Sequence, residues 1–241
     1  MNDNEITTEK PQGFSKKLEN FWYHYKWHSI VAAFLVLVIT VCTVQMCSKT
    51  SYDVHVMYAG SGKLSMTSSD TDTPDYIKAI STLTKYSDDY NDDGEINPNL
   101  LALFVPTAEE IQEINNSLDK GESVDMSIVN SNTTTFEDNM LYGEYYLCLL
   151  SEEWFFEYDK TDGVFESIAP YTNDSKEYEY AGECGIYLRS LDIYERDGIK
   201  ELPDDTVVCI RRLSAVSLKF DKNGQTAAHD AAAKLLEEIL K

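Results

Sequence analysis

Basic side chains are scarce in this chain: 20 Lys and Arg stand against 42 Asp and Glu, for a net charge of −22. The deficit is uneven. Residues 1–28 balance four bases (Lys10, Lys16, Lys17, Lys26) against four acids (Asp3, Glu5, Glu9, Glu19), so the whole excess lies beyond them. A field that acidic repels phosphate backbones and anionic head groups, which excludes nucleic acid as a partner of the large segment. Cysteine is sparse, with five in 241 residues and no CxxC spacing, and gives no support to a zinc ribbon or a thioredoxin-type pair. His24 and His28 come without an HExxH, and His55 and His229 have no serine elbow or cysteine partner nearby. No internal repeat or low-complexity block is present.

Charge is also missing altogether between His28 and Lys49. The 19 residues 29–47, SIVAAFLVLVITVCTVQMC, would span ~28 Å as a helix, about the thickness of a hydrocarbon core. Their polar members, Ser29, Thr40, Thr43 and Gln45, lie near an end or can bond within a helix. The preceding FWYHYKW places Trp22, Tyr23 and Trp27, with Phe21 and Tyr25, as an aromatic belt at head-group level. A cleaved signal peptide would have a shorter apolar core and an A-x-A site, and a lipoprotein signal would have small residues before Cys47 rather than Val44, Gln45 and Met46. The expectation is an uncleaved anchor held by the lipid bilayer through residues 29–47. Lys16, Lys17 and Lys26 against Lys49 and Lys63 place the N-terminus in the cytoplasm and residues 48–241 outside the plasma membrane. Of the external cysteines, Cys148, Cys184 and Cys209, at most two can pair.

Residues 48–241 read as an α/β domain with a mainly parallel sheet and an antiparallel final third. YDVHVMYAG alternates as a strand, Pro74 opens a helix, and LLALFVP reads as a buried strand. Thr107 and Glu110 form a capping box for a helix ending at Gly121, and VDMSIV is the next strand. NSNTTT is expected as a polar loop, EYYLCLL as a strand, and Ser151 as the cap of EEWFFEYD. Four alternations of strand and helix, with connections too long for hairpins, give the βαβ pattern. GIYLRSLDIY and TVVCIRRLSAVSLKF read as antiparallel strands, followed by a helix capped by Thr226.

The element order, with EYYLCLLSEEWFFEYDKTDGVFESIAPY and the closing FDKNGQTAAHDAAAKLLEEIL, resembles extracellular solute-binding proteins. The leader FWYHYKWHSIVAAFLVLV is similar to that of single-pass membrane proteins from clostridia-like Gram-positive bacteria. The resemblance implies a small solute-binding fold. At about 190 residues beyond the anchor the domain is short for two lobes, which implies that a lobe is reduced or that the ligand cleft is lost.

Three segments carry candidate chemistry. GSGK follows the first strand, where open α/β sheets present ligand loops, and nominates Ser61 and Lys63; Leu64 after the lysine excludes a phosphate loop. NSNTTT nominates Asn130 and Asn132 for hydrogen bonds to a polar ligand. In DYNDDGEIN, Asp89, Asn91 and Asp93 take the spacing of the first three EF-hand ligands, but Leu100 stands where the closing acid belongs and Pro98 where the exiting helix begins. The loop therefore reads as an Asn/Asp/Gly turn, with loosely held calcium as the alternative and no other cofactor implied. The leading expectation is a non-catalytic, membrane-anchored binding or sensing module. Its partner is a small polar ligand or a neighbouring membrane protein. The alternatives are an envelope scaffold or assembly protein, and a wall-active hydrolase using an acidic pair.

Overall fold

A computed structural model describes residues 13–47, 51–62, 64, 73–118, 122–160, 163–173 and 175–241. It divides into two compact units, Met1–Thr50 and Ser51–Lys241. In the first, one helix, α1 (Phe14–Cys47), contains both the aromatic belt and the apolar run. Its stretch Phe21–Thr43 is long and apolar enough to cross a membrane, and none of it is buried by protein. The apolar side chains surround the helix rather than forming a stripe, as a lipid-facing helix requires. Thr40 and Thr43 donate their hydroxyls to Val36 O (2.8 Å) and Ile39 O (2.7 Å), so neither carries an unmet hydrogen bond into an apolar medium. Trp22, Tyr23 and Trp27 stand exposed in the leading half of this stretch.

The second unit is built on a single sheet. Its strands are β1 (Val54–Gly60), β2 (Pro98–Phe104), β3 (Leu147–Leu150), β4 (Tyr180–Ala181), β5 (Gly185–Tyr187) and β6 (Val207–Ile210). They lie in the order β2-β1-β3-β6-β5-β4. The first three are parallel and the last three join antiparallel, so the expected mixed class, parallel first and antiparallel in the final third, is what forms. Helices cover both faces. α2 (Pro74–Tyr86) and α7 (Lys222–Leu240) pack Ala79, Leu83, Leu235 and Leu236 on Val54, Val56 and Tyr58. On the other face α4 (Met126–Tyr142) and α5 (Glu152–Asp159) pack Phe136, Met140 and Phe155 on Met57 and Ala59. Because β1 is buried on both faces, its sequence is a nearly continuous apolar run rather than an alternation.

Several sequence expectations are corrected. VDMSIV is not a strand: Asp125 accepts Ser127 N at 2.8 Å and opens α4. The burial of Val129, Asn132, Phe136 and Met140 follows the helical period, which overrides the short alternation before it. NSNTTT is accordingly helix interior and not a loop, with the Thr133, Thr134 and Thr135 hydroxyls each bonding the carbonyl four residues back. The βαβ alternation therefore has three parallel strands. The helix α3 (Ala108–Ser117) has the expected capping box, while the expected stop at Gly121 lies outside the described residues. Ser151 precedes α5 but makes no capping bond. The two long antiparallel strands reduce to three and four residues, followed by 3-10 turns and the short α6 (Ser217–Phe220). The last helix is capped by Asp221, which accepts Gly224 N at 3.0 Å, and Thr226 lies inside it.

One buried cation ties the layers together. Arg211, 2 % exposed, donates to Asn139 O and Met140 O, each at 2.6 Å, and to Gly143 O, and so satisfies the carbonyl end of α4. Its guanidinium lies 4.8 Å from the centre of the Tyr146 ring, and Tyr146 in turn donates to Gln225 of α7. Replacing Arg211 with Met is expected to cost about 3 kcal/mol in urea unfolding, because the Met140 and Gly143 carbonyls lose their donor inside the protein while Asn139 O keeps only Gly143 N.

Candidate functional site

β1 sends the chain through α2 to β2 on one side, and β2 sends it back across β1 to β3 on the other. Where connections diverge in this way the loops beyond the carboxyl ends of the central strands leave a crevice. Three segments border it here: the start of α3, the start of α5 with Ser151 before it, and Asp205 just before β6. It encloses about 260 Å³, and among its walls are Thr107, Glu110, Glu113, Ser151, Glu152 and Asp205. A larger depression of about 820 Å³ shares Thr107, Glu152 and Glu153 with it and is walled by Pro106, Trp154 and Phe156, with Lys160 at one side.

Local chemistry explains much of this wall. Glu110 accepts Thr107 N at 2.7 Å while its N–H reaches Thr107 Oγ1 at 3.2 Å, and the same carboxylate accepts the Ser61 hydroxyl. Glu109 and Glu110 occupy the first turn of α3, and Glu152 and Glu153 the first turn of α5, where the helix dipole favours negative charge. Trp154 is fixed by Nε1 donating to Val105 O at 2.8 Å and by edge contact with Phe136 at 5.3 Å. Gly62 donates its N–H to Tyr58 Oη at 2.6 Å; a Cβ there would come within 2.5 Å of that oxygen and 2.9 Å of Pro203 Cδ, so the loop folds this tightly only with glycine. Burial pushes the Tyr58 phenol well above its ordinary value.

Of the residues nominated by sequence, Ser61 does not line the crevice but donates to its wall residue Glu110, and Lys63 lies outside the described residues. Asn130 is exposed on α4, and Asn132 is buried with Nδ2 donating to Phe104 O at 3.2 Å, a bond that seats α4 on β2. Neither is on a loop. Ser151, Glu152 and Asp205 are the wall residues that sequence reading missed. The signal was present for Ser151, because a residue directly after a parallel strand is where a ligand loop begins.

The DYNDDGEIN loop closes on itself. Asp89 accepts Asp93 N (3.1 Å) and Gly94 N (2.8 Å), Asn91 accepts Asp93 N (2.9 Å), and Asp93 accepts Glu95 N (3.0 Å). Asp92 and Gly94 take positive φ, 58° and 89°, as such a turn requires. Leu100, at the closing position of a calcium loop, is buried in β2. Asp53, which sequence reading passed over, clamps the loop from the head of β1 by accepting Tyr90 N (2.9 Å), Asn91 N (3.3 Å) and Asn97 N (2.6 Å). Among the described residues no group of three His, Cys, Asp or Glu is placed to hold a metal ion. Cys148 and Cys209 face each other across β3 and β6, and both are thiols, as are Cys42 and Cys184.

The fold and crevice define a mixed α/β unit behind a helix able to cross a membrane. Comparison with protein-family models, curated proteins and solved structures returns no match.

Asp205 is held above its ordinary value of 3.8, first by partial burial and then by the nearby Glu110 and Glu152, with its own amide and that of Glu152 pulling the other way. The native protein thus keeps a proton that the unfolded chain has lost, and stability falls as pH rises from 3.8 through the raised native value. Asp205→Asn is expected to raise the thermal midpoint at neutral pH, with the gain shrinking as pH is lowered toward 3.8. A midpoint below wild type at neutral pH would contradict this.

Proposed function

We propose that the chain is a membrane-anchored binding or sensing module, held in the plasma membrane by α1 with its N-terminus cytoplasmic, and that residues 51–241 take a small ligand outside the cell in the crevice beyond β1 and β3. The observation that carries this reading is the crevice itself. It lies at the point where crossovers diverge, beside a fixed aromatic wall, and it opens onto a depression of ligand size. A binding role is favoured over nucleophilic catalysis because, among the described residues, neither histidine nor cysteine lines the crevice next to Ser151. The orientation rests on Lys16, Lys17 and Lys26 before the apolar run. The ectodomain reading as a reduced solute-binding fold rests on the element order and the closing helix.

The test uses the full-length protein in lipid nanodiscs. At least one member of a panel of neutral, anionic and cationic small molecules is expected to raise the thermal midpoint of residues 51–241, and Trp154→Ala is expected to remove that rise. A flat response across the panel removes the reading. Protease applied to intact cells is expected to digest residues 51–241 and spare the N-terminal tail; the reverse pattern overturns the orientation.

A further inference from the structure

The four glutamates at the starts of α3 and α5 have a local explanation in the helix dipoles. Ser151 does not. It is 3 % exposed, lines the crevice, and its Oγ has no hydrogen-bond partner. Thr206, one register step beyond the Leu150–Val207 pair and so opposite Ser151, is fully buried and its hydroxyl is likewise unpartnered. An unmet buried hydroxyl costs free energy that a ligand contact recovers. The side chains around Ser151 define what that ligand carries. Glu110, Glu113, Glu152 and Asp205 converge on the crevice; among the described residues no basic side chain lines it, and the lysine of the adjoining depression, Lys160, is bonded to Glu157 at 2.7 Å.

A metal ion does not fit this arrangement, because among the described residues no three acidic or imidazole groups are spaced to chelate one. An ammonium group does: its three N–H donors need acceptors in different directions, and a hydroxyl and separate carboxylates supply them. Trp154, Phe156 and Pro106 extend the wall with apolar surface away from the acids. Resting on the reading of the crevice as the ligand site, we propose that it takes a small organic cation, a primary amine on an apolar body. The ammonium is held by Ser151, Glu152 and Asp205, and the body lies over Trp154 and Phe156.

The probes are 2-phenylethylamine, its neutral counterpart 2-phenylethanol and its anionic counterpart phenylacetate, titrated into the full-length protein in nanodiscs by calorimetry and by thermal midpoint. The amine is expected to bind wild type, more weakly as salt is raised. Ser151→Ala and Glu152→Gln are each expected to weaken it about tenfold. Unliganded Ser151→Ala is expected to melt no lower than wild type, because it deletes a hydroxyl that has no partner; a lower midpoint, or unchanged amine affinity, overturns the role of Ser151. If phenylethanol or phenylacetate binds as well as the amine and Trp154→Ala abolishes it, the crevice stands as the site and the cation class falls. If no probe binds, and no member of the wider panel does, both readings fall together.

Discussion

The guanidinium of Arg211 is buried without a carboxylate, and the arrangement of the α/β unit follows from how that charge is met. Its N–H groups bond carbonyl oxygens: those of Met140 and Gly143 at the end of α4, and that of Asn139, which also accepts Gly143 N. Burial lowers its pKa below the ordinary arginine value, yet its two main partners, the helix end and the Tyr146 ring, both favour the charged form. Through Tyr146 and Gln225 the contact continues to α7 on the opposite face, so one side chain spans all three layers.

Asp53 plays the complementary part close by. Arg211 is paired with Tyr146 just ahead of β3, and Asp53 stands just ahead of β1, so both lie at the amino ends of the parallel strands. That end is fixed by buried charges whose hydrogen bonds go to backbone. At the carboxyl ends the buried hydroxyls of Ser151 and Thr206 have no such partners. Both ends leave some buried polar atoms unpartnered, Arg211 Nε and Tyr90 Oη at the first and the Ser151 and Thr206 hydroxyls at the second, and the division between them is that the crevice occupies the second. The division follows from the topology: parallel strands deliver helix starts, with their free N–H groups, to one end only.

The parts of this fold legible in sequence are those set by short-range chemistry. The capping box at Thr107 and Glu110, the proline start of α2 and the apolar run that forms β2 depend on neighbours along the chain and formed as read, whereas β1 formed as a strand but without the alternation read for it. The apolar helix was legible because a charge-free run of that length sets its own helical reading without tertiary partners. Misreadings arose where the tertiary partner decides. VDMSIV alternates like a strand over six residues, but Asn132 and Phe136 beyond it belong to the same buried helical face, and a contact to Phe104 O fixes them there. The crevice was only partly legible. Ser61, which donates to the wall residue Glu110, was marked by its place after β1, whereas Asp205 comes from a turn far along the chain, and only pairing of β6 with β3 brings it beside Ser151. DYNDDGEIN was correctly seen as a turn, but the residue that holds it, Asp53, carries no sequence sign of that task.

The first strand of the second unit, β1, is neither an edge strand nor a terminal appendage but lies between β2 and β3. Tension applied at the amino end of β1 would therefore run lengthwise along a strand bonded to both neighbours, loading those hydrogen bonds together in shear instead of peeling them open one at a time. The crevice lies beyond the carboxyl end of that same strand, so a strand bonded on both sides runs from the start of the unit's sheet to its crevice.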